Sequence, residues 1–304
     1  MKAVLVSAGR PESMVPVTSG RDIGDCLVAN HRLADWLTQR CLTAGLEVDP
    51  AADPGHTTLF VRTDAWVAPA SLMVLAHADA DQALRTPQGD LLAWRGTHAD
   101  EPPADTPSLS VNERDCRIKF PWQLLDINAE LLDECDDGDI DGECDPRAVV
   151  DGTLLLGEGS RVLPGVYIEG AVAIGRDCKI GPNCYIRGRT AIGDGCHIGQ
   201  AVEIKNSIIM PGASIGHLSY CGDSVVGESV NFGAGTITAN FRHDGKNHRS
   251  MVGGELLDTG RRKLGAIIGD GVHTGIHTAI YPGRKLWPHT STRPGDIVQK
   301  DLQS

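Results

Sequence analysis

The 304-residue sequence predicts an α/β N-terminal domain followed by a C-terminal left-handed parallel β-helix of hexapeptide repeats. Three observations lead there. From Val150 to Ile204 an aliphatic side chain recurs every sixth residue, often with glycine directly after it. Before residue 118, strand-like and helix-like runs alternate, the pattern of an α/β domain. Aromatic residues make up only 4% while glycines number 36, with no G-X-Y period. A thin, uniform core accounts for both.

Within residues 1–118, "KAVLVSAG" predicts a buried strand running into a loop, and "LVANHRLADWLTQRCLTAG" an amphipathic helix closed by Gly45. "TLFVRTDAWV" and "GDLLAWRG" predict further strands, and "DEPPADTPS" marks the end of the domain. Residues 119–148 form a linker. "PWQLLDINAELLDE" predicts a helix with Pro121 near its start, and "CDDGDIDGECD" an acidic loop. That loop lacks the D-x-[DN]-x-[DN]-G spacing of a Ca²⁺ site and is taken as a solvated turn.

Residues 149–304 carry the repeat. Val150, Leu156, Val162, Ile168, Ile174, Ile180, Ile186, Ile192, Ile198 and Ile204 keep a strict period of six. A helix needs apolar spacing near 3.6 and a simple strand near 2, so neither explains it. In a hexapeptide β-helix the aliphatic residue points inward, glycine permits the tight corner, and three hexapeptides close one triangular coil. The phase then slips. Ile209, Ile215 and Cys221 carry it on, and Val226 and Phe232 follow a one-residue deletion. From about Ala239 to Ala266 the pattern vanishes into a structureless insert, and it resumes at Ile268, Thr274, Ile280, Leu286, Thr292 and Val298. Inserts of this length in regular folds are often functional.

Charge is distributed unevenly. Residues 1–118 hold 16 acidic and 10 basic groups, residues 119–148 hold 10 and 2, and residues 149–304 hold 14 and 16. The slightly basic C-terminal part suits small anions, and no stripe of the nucleic-acid-binding kind is present. Nine scattered cysteines without a CxxC are expected to be reduced apolar fillers. The opening "MKAVLVSAGR" is short for a signal peptide, and no stretch approaches about 18 apolar residues. A cytoplasmic protein without a membrane span is expected.

The runs "VEIKNS…IGHLSYCGDSVVGESVNFGAGTITAN" and "GRRKLGAIIGDGVHTGIHTAIYPG" carry a resemblance covering most of residues 150–300. They are similar to the acetyltransferase half of the bacterial and archaeal bifunctional glucosamine-1-phosphate N-acetyltransferase / UDP-N-acetylglucosamine pyrophosphorylase family. The resemblance implies an acetyl-CoA-dependent N-acetyltransferase acting on an amino-sugar 1-phosphate, glucosamine-1-phosphate or galactosamine-1-phosphate, in nucleotide-sugar biosynthesis. The amine begins as an ammonium that must lose a proton, and His217, with a ring that titrates near neutrality, suits the general base. Asn231 would steady it. Tyr220 and Asn240 would bind the sugar and acetyl groups. Arg187, Lys205 and Lys246 would hold the phosphate. The plain alternatives are a turn histidine and solvated surface charges.

The resemblance further implies a homotrimer with acetyl-CoA in the groove between neighbouring β-helices. The backbone of Ala234 and Gly235 would approach the thioester. Phe241 stands where the bacterial enzymes carry tyrosine. Arg261, Arg262, Lys263, Arg284, Lys285 and Arg293 are candidates for the CoA phosphates.

The N-terminal domain resembles the nucleotidyltransferase half in outline only, shortened and degenerate. The family's G-x-G-T-R-M and following lysine are missing, since "RPESM" follows Gly9 and Lys2 is the only lysine before Lys119. Phosphoryl chemistry needs positive charge at the transferring group. Asp64 would hold Mg²⁺ only in an active domain. Retained nucleotidyltransferase activity and a non-catalytic trimeric scaffold stay open as alternatives. A Zn²⁺ solenoid is a third, through His243, His248, His273 and His277, although these do not pair in the expected pattern.

Overall fold

The computed structural model describes residues 1–50, 57–79, 81–135 and 138–303. Asp136 and Asp137 of the acidic loop lie outside the described residues. The chain divides into two compact units. One comprises Met1–Pro11, Arg21–Cys26 and His31–Lys119, the other Glu12–Gly20, Leu27–Asn30 and Phe120–Ser304.

The first unit is built on a six-stranded mixed sheet. Its order is Glu47–Val48, Lys2–Val6, Thr58–Arg62, Leu91–Gly96, Ala83–Arg85, Ser108–Leu109. Lys2–Val6 runs parallel to both its neighbours, and Leu91–Gly96 antiparallel to both of its own. Two helices, α1 (Leu33–Thr43) and α2 (Pro69–Ala76), belong to this unit. Leu37 and Cys41 of α1 and Leu72 and Leu75 of α2 join Ala3, Leu59, Val61, Leu84 and Leu92 in one core.

The helix expected over residues 27–45 begins only at Leu33, because Ala29 and Asn30 adopt positive φ and break the chain before it. Gly45 closes it as expected, at φ +75°. Helix α2 was not foreseen. It is short and apolar, and its start is set by Pro69 at the first turn, where the missing N–H costs nothing.

The second unit is a parallel β-helix. Register stacks the sixth-residue positions into three inward columns. Val150, Ile168, Ile186, Ile204 and Cys221 lead the first, which Thr238, Ile280 and Val298 continue. Leu156, Ile174, Ile192, Ile209, Val226, Ile268 and Leu286 form the second. Cys144, Val162, Ile180, Ile198, Ile215 and Phe232 form the third. Together they make one continuous core. Each buried isoleucine contributes roughly 1.5–3 kcal/mol over leaving it in water. Val150 departs from the expected burial, at 38% exposure, because it belongs to the first coil. Cys178, Cys184, Cys196 and Cys221 are thiols that fill the solenoid interior.

The insert is not structureless. Arg249–Val252 and Glu255–Asp258 pair as an antiparallel hairpin. Its turn is Gly253–Gly254, with φ of +55° and +87°, the geometry that favours two-residue hairpin loops. The hairpin is anchored where the buried Ser250 hydroxyl donates to the Gly283 carbonyl at 3.0 Å.

Helix α3 (Leu124–Asp133), preceded by a 3-10 turn at Pro121–Gln123, packs against the strand Tyr185–Ile192. Its fully buried Asn128 accepts from the Ala29 amide at 2.9 Å and donates to the Arg189 carbonyl at 3.1 Å. Among the described residues no helix is long and apolar enough to cross a membrane.

Candidate active site

The columns that bury the aliphatic residues also fix what stands outside them. Flanking Ile186, Ile204 and Cys221 on the outer face are Tyr185 and Arg187, Glu203 and Lys205, and Tyr220 and Gly222, in register. Lys205, Tyr220 and Asn240 therefore converge although 35 residues separate the first from the last.

Their meeting point is Asp223, a residue not singled out from sequence. Lys205 is only 8% exposed, and its Nζ donates to both Asp223 oxygens, at 3.0 and 3.3 Å. Asn240 Nδ2 donates to Asp223 Oδ2 at 2.6 Å and to the Tyr220 hydroxyl at 2.8 Å. Asn206 Nδ2 adds a contact to Asp223 Oδ1 at 3.3 Å. Burial, with the Asp223 and Glu203 carboxylates nearby, pushes the Tyr220 phenol up to about 12, so it keeps its proton at neutral pH. Gly222 makes room for this cluster. A Cβ there would lie 2.3 Å from the Tyr220 hydroxyl and 2.8 Å from Asn240 Nδ2.

Arg187 stands beside Lys205 in register, its Nε 2.8 Å from Glu203 Oε1 and its guanidinium 5.1 Å from the Tyr185 ring centroid. It is a paired cation placed over an aromatic ring.

His217 ends the strand Ser214–His217, one turn of chain before Tyr220. It is exposed, and its carbonyl accepts from the Ser219 hydroxyl and the Gly235 amide. Among the described residues no hydrogen bond engages its ring. Asn231 is in register with Ser214, three residues upstream of His217, and no hydrogen bond joins the two side chains. Within one chain the structure thus does not bring Asn231 to the histidine.

The remaining candidates lie around the insert. The Gly233–Thr236 turn carries Ala234 and Gly235, and Gly235 has φ +75°. A Cβ on Gly235 would approach His277 Nδ1 to 2.6 Å. Phe241, 48% exposed, lines a cavity of about 520 Å³ with Ala239, Arg242, His243, Asp244, Tyr281 and Pro282. Lys246 is exposed beside Arg242, Asn247, Arg249 and Asp258. His248, also in the insert, is buried, and its Nε2 donates to the Asn240 carbonyl at 2.9 Å. Burial pushes its pKa down, which keeps the ring neutral.

Several bases considered for phosphates are already engaged. Lys285 is buried against Trp122, Arg261 pairs with Asp126, and Arg284 donates to the carbonyls of Pro282 and Arg249. Arg262, Lys263 and Arg293 are exposed.

In the N-terminal unit, Asp64 is 1% exposed and held by Arg62 at 2.8 and 3.1 Å and by Arg117 at 2.8 Å. Two guanidiniums already counter this carboxylate, so the surroundings do not fit a divalent cation. Among the described residues, no group of three His, Cys, Asp or Glu side chains could hold a metal ion.

Asp223 and Asn206 were legible in principle. They follow Lys205 and Gly222 where earlier coils carry Gly170 and Gly188, an exchange of glycine for acid and amide at a fixed repeat position. His248 offered no such signal, because its insert has no period.

The family model described as GMPPB C-terminal domain matches residues 166–291. The bifunctional sugar-1-phosphate nucleotidylyltransferase/acetyltransferase of Sulfurisphaera tokodaii is 43% identical over 209 residues, 65% of this chain and 52% of that protein. The bifunctional protein GlmU of Methanocaldococcus jannaschii is 38% identical over 184 residues, 60% of this chain and 45% of that protein. The chain spans about half the length of the curated relatives it matches. Among solved structures, that of the polysialic acid O-acetyltransferase OatWY has 17% identity and a TM-score of 0.27, covering 55% of this chain and 80% of that chain. On its motifs and on these matches, the chain resembles the bifunctional glucosamine-1-phosphate N-acetyltransferase / UDP-N-acetylglucosamine pyrophosphorylase family.

Proposed function

We propose that this chain is an acetyl-CoA-dependent N-acetyltransferase acting on an amino-sugar 1-phosphate, working as a cytoplasmic homotrimer in nucleotide-sugar biosynthesis. One observation supports it above the others. A buried lysine and an asparagine amide meet on Asp223, the same amide holds a protonated tyrosine, and an exposed histidine, its ring without a hydrogen bond among the described residues, stands three residues before that tyrosine. A scaffold solenoid needs none of these groups there.

In this reading His217 takes the proton from the substrate ammonium and so frees the amine lone pair. Lys205 and Arg187 present N–H donors to the phosphate, and Tyr220 presents its hydroxyl and Asn240 its amide oxygen, an acceptor, to the sugar. Lys246 adds charge from the insert. Asn231 serves the histidine only if a neighbouring subunit brings it there. Acetyl-CoA would supply the acyl group as a thioester. The Ala234–Gly235 turn fits its approach, because Gly235 lacks the Cβ that would crowd the corner. Phe241 and Tyr281 offer exposed rings to its adenine end. The N-terminal unit is assigned no nucleotidyl transfer, since Asp64 is neutralised by arginine.

The test is thiol release from acetyl-CoA by the purified protein with glucosamine-1-phosphate and then galactosamine-1-phosphate. Release that requires an amino-sugar phosphate is expected, and His217→Ala should abolish it while leaving the oligomer intact. A folded protein that releases no thiol with either sugar, or a His217→Ala variant at the wild-type rate, would overturn the reading.

A further inference from the structure

One corner of the solenoid is turned by a residue with positive φ in successive coils. Gly152, Gly170 and Gly188 hold it at φ +138°, +88° and +74°. Glycine adopts this region without steric cost. In the next two coils the corner is held by Asn206 at φ +44° and Asp223 at φ +51°. Asn and Asp are the side-chain-bearing residues that tolerate this region best, so the exchange puts an amide and a carboxylate at the corner with little backbone cost. Asp223 is only 2% exposed, and among the described residues the hydrogen-bond donors to its carboxylate are side chains: Lys205, Asn206 and Asn240. The carboxylate thus stands at a corner that glycine turns in earlier coils, with three side chains donating to it.

We infer that Asp223 is a positioning residue, which fixes the Lys205 ammonium and the Asn240 amide for the amino-sugar phosphate; this rests on the proposed acetyltransferase reading. An ammonium has three N–H donors, and its contacts to Asp223 leave capacity for a phosphate oxygen. The pair is close to neutral overall, so Lys205 acts here by directed hydrogen bonding more than as a free charge. His248 completes the arrangement from the insert by fixing the Asn240 carbonyl. Asn240 is thereby held at both its side chain and its backbone.

Two variants test this. Asp223→Gly restores the residue that turns this corner in earlier coils, and Asp223→Asn keeps the shape and removes the charge. The expected result is a KM for the amino-sugar 1-phosphate raised at least tenfold in both, with the KM for acetyl-CoA within twofold of wild type. Asp223→Gly strips a buried ammonium of its partner and should also lower the melting temperature, whereas the KM effect should stay confined to the sugar phosphate in both variants. An unchanged sugar-phosphate KM would overturn the inference, and so would a uniform loss of every kinetic parameter together with melting temperature. A second readout does not depend on turnover. Acylation of Lys205 by acetyl-N-hydroxysuccinimide, followed by peptide mass spectrometry, should be at least fivefold faster in Asp223→Gly, and an equal rate would overturn the inference. Wild-type protein that releases no thiol but shows this reactivity change would refute the acetyltransferase reading and leave Asp223 as the group that holds Lys205.

Discussion

Lys285 makes a quantitative prediction about stability. It is 1% exposed, its Nζ lies 6.0 Å from the Trp122 ring centroid, and burial drives its pKa down from 10.5 to about 8 against the opposing pull of Asp301. Below pH 8 the lysine is charged in both folded and unfolded chains, and folding carries the whole cost of burying that charge. A difference of about 2.5 between the two pKa values corresponds to about 3 kcal/mol. Between pH 8 and 10.5 the folded protein releases its proton before the unfolded chain does, so stability rises with pH across that window. Lys285→Met keeps an unbranched side chain of similar length and removes the charge. The variant should therefore be more stable than wild type by about 3 kcal/mol at pH 7, with the gap closing towards pH 10.5. Urea unfolding of both proteins at pH 7, 8.5 and 10, at one protein concentration, measures it. A gap that is the same at all three pH values would refute the reasoning.

Other expectations follow from single contacts. Gly222→Ala places a methyl group on the Tyr220 hydroxyl and Asn240 amide, and should cut kcat/KM for the sugar phosphate at least tenfold with little change in melting temperature. Asn128→Ala leaves the buried Ala29 amide and Arg189 carbonyl without this partner, and should destabilise the second unit by about 2–4 kcal/mol in denaturant unfolding. Ile186→Ala opens a cavity between two coils, and should cost about 3 kcal/mol in the same assay while leaving the KM values near wild type.

The solenoid was legible in the sequence because its period is set by local geometry. Each inward aliphatic residue repeats with the coil, so Ile168, Ile186 and Ile204 announce one column without any knowledge of the others. The return of the pattern at Ile268 was legible for the same reason, and register pairs that residue with Val226. The N-terminal sheet was visible as strands but not as an order, because pairing is non-local. Helix α2 escaped because an eight-residue apolar run has no resolvable period. His217, Lys205, Tyr220 and Asn240 are singled out by motif resemblance, whereas Asp223 and His248 draw attention only through contacts that folding creates. Lys285 is one of six basic residues that sequence alone leaves open, and its burial against Trp122, 163 residues earlier in the chain, is not legible there.

The in-phase return of the repeat after the insert separates two tasks in one chain. Val226 and Ile268 are neighbours in the sheet although the whole insert lies between them, so the ladder continues across the excursion. The entropic cost of closing such a loop grows only logarithmically with its length, about 0.6 kcal/mol for each doubling. The solenoid therefore behaves as a socket and the hairpin as a replaceable part. The hairpin tip at Gly253–Gly254 lies apart from the contacts at Asn240, so its length and sequence can change while His248 and Leu264 keep their hold on the Asn240 carbonyl.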